Sequence, residues 1–308
     1  MRFGNRVCLA VLLITGTLVC LLPSSSAKAQ GRIEINVVQV PLLVTVTDSR
    51  GQLITTLNKQ DFKVYEGTRL QKIDSFSRET DLPLSIALLI DQSSSAVDNL
   101  EFERAAAMEF FSNTVKRGKD RAMVVGFATD AHLLVDFTDD LDKLGAGLKK
   151  LSADGSTSVY DTIYLAAQQK LGREVGERRK LIILITDGDD TASRYDLKQA
   201  LESAQKNDVL IYAISTNRTT LTKSEERERG DKTIRQLVDE TGGRAYFPSK
   251  LSDLSAEFKK IENELRSQYS LSYGPANPFD GTYRKLRVEV ADKRYKARTR
   301  AGYIASKN

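Results

Sequence analysis

Apolar and polar residues follow two different rhythms along this chain. Between about residues 83 and 267 the apolar runs are nearly continuous: LSIALLI at 84–90, AMVVGF at 122–127, LIILIT at 181–186 and VLIYAI at 209–214. Short runs of this kind read as strands buried on both faces. Between them the spacing becomes helical. Phe102, Ala106, Phe110 and Thr114 form one stripe, with Ala107, Phe111 and Val115 beside it, and Tyr164, Ala167 and Leu171 form another. Buried strands alternating with amphipathic helices predict an α/β domain with a doubly wound, mostly parallel sheet. His132 to Phe137 fits a short antiparallel edge strand.

The flanks alternate strictly. Val40, Leu42, Val44 and Val46 share one parity, and Asp48-Ser49-Arg50-Gly51 is a turn signal. Phe62, Val64 and Tyr65 mark another strand before Glu66-Gly67. After residue 268 come QYSLSYG and then Leu286, Val288 and Val290, followed by a turn at Ala291-Asp292-Lys293. This is antiparallel β with hairpin punctuation. Few-stranded sheets are marginal alone. The expected arrangement is therefore one small β-sandwich built from residues 30–82 and 268–308, with an α/β domain at 83–267 inserted between them. Two independent flaps on the α/β domain are the alternative.

The first 29 residues differ from the rest. Arg2 and Arg6 precede an apolar run from Val7 to Leu22, and Ala27-Lys28-Ala29 ends the segment. A basic start, a short apolar run and a small-x-small site match a cleaved secretory signal. The run is short for a membrane span. Export to a periplasmic or extracellular space is expected, in a bacterium of the Gram-negative type, with membrane contact only through this transient segment. Both cysteines, Cys8 and Cys20, lie in it, so the remainder has no disulfide framework and no thiolate metal site. Removing it takes three of the 46 Lys and Arg and none of the 41 Asp and Glu. The balance becomes 43 against 41, a net +2, which gives no reason to expect a nucleic-acid partner.

Chemistry concentrates where buried strands end. In LLIDQSSSA, Asp91, Ser93 and Ser95 fall at alternate positions just after an apolar run. In an extended segment such side chains share a face. LIILITDGDD ends a second strand in Asp187, with Gly188, Asp189 and Asp190 following, and DGSTSVYDT sets Thr157 just before a helix. In open α/β sheets, loops at the carboxyl ends of strands form the ligand crevice. Asp91, Ser93, Ser95, Thr157 and Asp187 offer only hard oxygen donors, a set suited to Mg2+, Ca2+ or Mn2+ and not to zinc. Asp161, Gly188, Asp189 and Asp190 are the supporting residues around that set. Asp189 and Asp190 also fit acids at a helix start, Asp161 a helix-turn cap, and Ser93 to Ser95 a helix N-cap cluster. The ERRK run at 177–180 and SEERERGDK at 224–232 read as solvated faces.

D-x-S-x-S after the first strand, Gly-x-Thr in a second loop and T-D-G after a later strand resemble the metal-ion-dependent adhesion site of the von Willebrand factor type A family. The resemblance covers about 83–267, with Asp91, Ser93 and Ser95 on its first loop, Thr157 on its second and Asp187 on its third. It implies a Rossmann-like fold in which the serines and threonine contact the cation directly and the aspartates do so directly or through water. It further implies an open position taken by a Glu or Asp carboxylate of a partner protein, and a last helix (about 251–267) that shifts in members that switch shape. The flanks, with TGGRAYF and ELRSQYSLSYG, resemble an exported bacterial group related to this family and frequent in acidobacteria. The function implied is a divalent-cation-dependent adhesion or protein-binding module rather than an enzyme. A metal-dependent hydrolase or phosphotransferase is the alternative, but the chain has no Walker loop, GxGxxG or GxSxG, and a single histidine, His132. A purely structural metal is the third reading.

Overall fold

The computed structural model describes residues 39–78, 82–93, 100–152, 155–217, 225–277 and 280–305; the expected leader and Ser95 lie outside them. Val40–Thr47 (β1), Phe62–Glu66 (β2), Arg69–Gln71 (β3) and Ser75–Ser77 (β4) come first. Leu84–Asp91 (β5), Leu100–Thr114 (α1), Arg121–Phe127 (β6), Ala131–Thr138 (β7), Leu141–Leu148 (α2) and Val159–Leu165 (α3) follow. Then come Arg179–Thr186 (β8), Leu197–Lys206 (α4), Val209–Ser215 (β9), Glu225–Thr241 (α5), Ala245–Tyr246 (β10) and Leu254–Leu265 (α6). The last are Tyr269–Tyr273 (β11), Tyr283–Val290 (β12), Lys296–Arg298 (β13) and Gly302–Ile304 (β14).

Among the described residues the α/β part forms a six-stranded sheet in the order β10-β9-β8-β5-β6-β7. All its pairings are parallel except β6 with β7, which is antiparallel and contains the expected edge strand. β5 and β9 are buried at every residue because helices cover both faces of the sheet. Leu84, Ile86, Leu88 and Ile90 point into one core with α1, α2 and α6. Ala87 and Leu89 point into the other with α3, α4 and α5. Caps set the helix starts: Asp140 accepts from the amides of Asp142 and Lys143 at α2, and Asp196 with Gln199 forms a capping box at α4. No described helix is long and apolar enough to cross a membrane.

Two details depart from the sequence pattern. Phe102 is 54% exposed, whereas Glu103, one residue on, is 1% exposed. The stripe that α1 buries is Glu103, Ala106, Ala107, Phe110, Phe111 and Thr114, so the inward face is centred one residue further than the aromatic suggested. In the ERRK run, Arg179 is not solvated. It opens β8 and is 3% exposed, because strand alternation turns it toward the C-terminal end of α6.

The flanks pair with each other. One four-stranded sheet has the order β13-β1-β11-β4 and the other β14-β12-β2-β3, so each sheet takes strands from both ends of the chain. Val40 to Val44 of β1 lie opposite Tyr273 to Tyr269 of β11, and Phe62 to Glu66 of β2 opposite Val290 to Leu286 of β12. The inward residues of both sheets share one cluster, including Leu42, Val44, Phe62, Val64, Tyr269, Leu271, Leu286 and Val288. Neither flank could bury this surface by itself, which is the physical reason for the long-range pairing.

A buried polar knot joins these sheets to the α/β core. Glu264 on α6 accepts from Thr45 on β1 (3.2 Å), from the Tyr212 hydroxyl on β9 (2.8 Å) and from Arg298 on β13. Gln268 donates to Thr45 Oγ1 (3.0 Å) and to the Tyr212 hydroxyl (3.1 Å). Burial, with Glu264 beside it, pushes the Tyr212 hydroxyl well above its ordinary pKa, so it remains a donor.

Candidate metal centre

β5 and β8 are neighbours, and the chain leaves them for opposite sides of the sheet: β6 lies beyond β5 and β9 beyond β8. A doubly wound sheet opens its crevice at such a switch point. Asp91 is the last residue of β5, and Asp187 directly follows β8. Thr186 ties the two ends together. Its hydroxyl donates to Asp91 Oδ2 (2.7 Å) and accepts from the Gly188 amide (3.1 Å). Asp91 Oδ1 accepts from the Ser93 amide (2.9 Å), and Asp187 Oδ1 from the Asp189 amide (3.1 Å).

The Thr157 loop is laced to the same place. The amides of Thr191 and Ala192 donate to the Thr157 carbonyl (2.9 and 3.0 Å), and the Thr157 amide donates to Thr191 Oγ1 (3.0 Å). Gln92 anchors the first loop from behind, through its amide to the Phe127 carbonyl (2.6 Å) and its side chain to the Ser152 carbonyl. Asp91, Ser93, Thr157 and Asp187 therefore stand on three loops fixed to one another. Their oxygens are hard donors, carboxylate and hydroxyl. Among the described residues no three His, Cys, Asp or Glu side chains gather as an all-acid or thiolate cage. A cation here would lean on hydroxyls and water.

The electrostatics fit such a cation. Burial pushes the Asp91 carboxyl above its ordinary pKa, and the Asp187 charge adds to this, against hydrogen bonds from Thr186 and Ser93. On α1, Glu103 is buried with both carboxylate oxygens lacking a hydrogen-bond partner. Burial pushes it up to about 8, and the Asp91 charge pushes further while Arg104 opposes. Stacking buried acids with mutual repulsion and orphaned oxygens is costly unless positive charge compensates them. Sequence reasoning missed Glu103 because a lone acid inside an amphipathic run looks like a solvated face. Its signal was positional: it lies four residues before Ala107 and seven before Phe110, on the buried stripe. Thr186 was missed because it reads as the end of an apolar strand.

The supporting residues divide by role. Gly188 has φ +82°, and a Cβ there would lie 2.5 Å from the Gly230 carbonyl of α5, so the loop needs glycine to seat against that helix. Asp189 pairs loosely with Arg229 (3.8 Å). Asp190 accepts from the Tyr160 amide at the start of α3 (3.0 Å) and from Ser193 Oγ (2.6 Å). Asp161 accepts from the amides of Arg194 and Tyr195 (both 2.8 Å), which braces the segment beyond the Asp187 loop. Asn217 donates to the Asp187 carbonyl (2.8 Å) and to Asp231 (2.9 Å), adding support from β9 and α5.

A doubly wound sheet with laced Asp-Ser, Thr and Asp loops at its switch point defines a class of binding domain. Residues 85–263 match the model of the von Willebrand factor type A domain, and the chain belongs to that family. Proximal thread matrix protein 1 from the mussel byssus shares the fold, with a TM-score of 0.51 and 18% identity over 63% of this chain. The match spans 49% of the mussel protein, about half its length. A further solved form of that mussel protein has zinc in its MIDAS motif. BatB from Bacteroides thetaiotaomicron aligns with a TM-score of 0.48 and 16% identity, over 59% of this chain and 97% of BatB. No curated protein matches the sequence.

Proposed function

We propose that this protein is an exported, divalent-cation-dependent binding module that grips an acidic group of a partner protein. Domains of its family are typically adhesion or protein-binding modules and mostly not enzymes. Asp91, Ser93, Thr157 and Asp187, with Ser95 from the sequence motif, would hold the cation. When bound, it supplies a Lewis-acid position for an incoming carboxylate. Mg2+ is the first choice, with Ca2+ and Mn2+ as alternatives, because every donor is a hard oxygen. The mussel protein's zinc adds Zn2+ to the ions worth titrating.

The observation that carries this reading is the lacing of three loops around Asp91 and Asp187, beside the orphaned Glu103 carboxylate. Export rests on the leader at 1–29 and on a remainder without cysteine. Placement among the exported bacterial relatives of this family rests on the flanking segments. The Glu264 knot gives α6 a physical link to the flanking sheets. If ligand binding moves α6, small-angle scattering should register a change in how core and flanks sit. An unchanged profile would remove that part of the reading.

The direct test is cross-linking capture on the purified protein in Mg2+, in chelator, and with Asp91→Ala in Mg2+. Capture in the first arm alone, prevented when excess free glutamate is present before cross-linking, supports the reading. Equal capture in all three arms contradicts it.

A further inference from the structure

A groove of about 400 Å3 lies at the seam between the α/β core and the flanking sheets. Its walls come from α5, from β10 and the turn before it, and from β1 and β13. Among the described residues β10 is the last strand of the core sheet and β13 the last of its flanking sheet, so the groove lies between two sheet edges.

The pairing register decides which side chains enter it. Thr45 lies opposite Arg298, Val46 opposite Ala297 and Thr47 opposite Lys296. Val46 and Ala297 pack in the cluster between the two flanking sheets. Their neighbours point to the other face, toward the core, because strand side chains alternate. Lys296 and Arg298 therefore enter the groove from β13. Arg235 enters from α5, with Asp239 one turn further on, and Arg244 from the residue before β10.

These cations are not equally committed. Arg298 donates to the Glu264 carboxylate and to the Gly243 carbonyl. Arg235, Arg244 and Lys296 are exposed, and among the described residues no carboxylate holds any of them. Aromatic rings steady two: the Arg235 guanidinium lies 4.1 Å from the centre of the Phe247 ring, and that of Arg244 5.4 Å from Tyr246. A guanidinium stacked by its face keeps its N–H edges for other partners. Among the described lining residues Asp239 is the one carboxylate. Three uncommitted cations against it leave an excess of two positive charges around one space. A single carboxylate ligand would cover only one of them. A phosphate monoester carries nearly two negative charges and three strong acceptor oxygens, and guanidinium forks match its geometry. The groove is also larger than a phosphate, within the roughly 300–1,000 Å3 of small-molecule sites, so the rest of an ester has room. We propose that this groove binds a phosphate monoester, its phosphate seated among Arg235, Arg244 and Lys296.

The test is calorimetric titration of the purified protein with glycerol 3-phosphate and with acetate, at one ionic strength and at a pH above the second ionisation of the phosphate. The protein is first stripped of cations on a chelating resin, so that no metal at Asp91 can hold phosphate. Flotation with phosphatidylcholine vesicles, with and without phosphatidic acid, separates a lipid headgroup from a soluble ester as the source. Glycerol 3-phosphate is expected to bind, and acetate at least about tenfold more weakly. Binding of phosphatidic acid vesicles alone would assign the same phosphate to a lipid. Arg244→Ala combined with Lys296→Ala removes two exposed cations without touching the core, and should weaken the bound ester at least about tenfold. Lys285→Ala removes an exposed charge from β12, outside the groove, and should change nothing. Asp239→Asn removes the opposing charge and should tighten binding. The proposal is overturned by no binding of either phosphate ester, by equal binding of acetate, by undiminished binding to the double variant, or by an equal loss in Lys285→Ala.

Discussion

Glu103→Gln should stabilise the cation-free protein. The wild-type carboxyl has an ordinary value of 4.5 and is pushed up to about 8 in the folded chain, by burial first and the Asp91 charge second. The folded state therefore holds the proton more tightly than the unfolded state. The stability this group allows is fully present below 4.5 and is lost as pH rises through about 8. At pH 7 the interval from 4.5, at about 1.4 kcal/mol for each pH unit, comes to roughly 3 kcal/mol of lost stability. Glutamine has nearly the same shape and no charge, so it escapes this loss. Its amide remains without a partner, which returns about 1 kcal/mol. The net expectation is a gain of about 2 kcal/mol at pH 7 and a loss of about 1 kcal/mol at pH 4.5, where only the cost of the unpartnered amide remains. Urea unfolding followed by circular dichroism, in chelator across that range, measures it. Saturating Mg2+ should shrink the gain, because a cation at Asp91 offsets the repulsion. A variant less stable than wild type at every pH, or a wild-type stability no steeper in pH than the variant's, would refute the reasoning.

Three further substitutions probe the frame of the site. Glu264→Ala leaves Arg298 without its carboxylate; a fully buried pair would cost 3–5 kcal/mol, and with Arg298 26% exposed about 2–3 kcal/mol is expected by urea unfolding. A loss under about 1 kcal/mol would show that the knot is not what joins α6 to the flanking sheets. Gly188→Ala forces a side chain at φ +82° against the Gly230 carbonyl; it should cost roughly 1–3 kcal/mol and weaken cation binding by moving Asp187, and unchanged affinity would separate that loop from the site. Thr186→Val keeps shape but strips the donor to Asp91 and the acceptor of the Gly188 amide; about 1–3 kcal/mol in melting experiments is expected, and no loss would mean the tie is incidental.

Much of the fold was legible because burial leaves a periodic mark. The four apolar runs became β5, β6, β8 and β9 within two residues at each end, since a strand covered on both faces can tolerate little else. The antiparallel edge strand was legible from its position after β6. Positions that break the apolar rule were read less well. Glu103 and Arg179 are charged residues at inward positions, and an isolated charge in sequence looks the same whether it faces water or a core. Only the packing of α1 and the end of α6 reveals their burial. The loops of the site were found because Asp91 and Asp187 interrupt apolar strands at their carboxyl ends. Thr186, Asn217 and Asp231 were not, because their role lies in hydrogen bonds across loops distant in sequence.

Calorimetric titration of Mg2+, with Ca2+ and Mn2+ in parallel, into the wild-type protein and into Asp91→Ala tests the central claim most directly. We expect saturable binding at a single site in the wild type and none in the variant, with both still folded by circular dichroism. Absence of binding for all three ions and for Zn2+, or equal binding by Asp91→Ala, would contradict the metal centre and with it the cation-dependent grip on a partner.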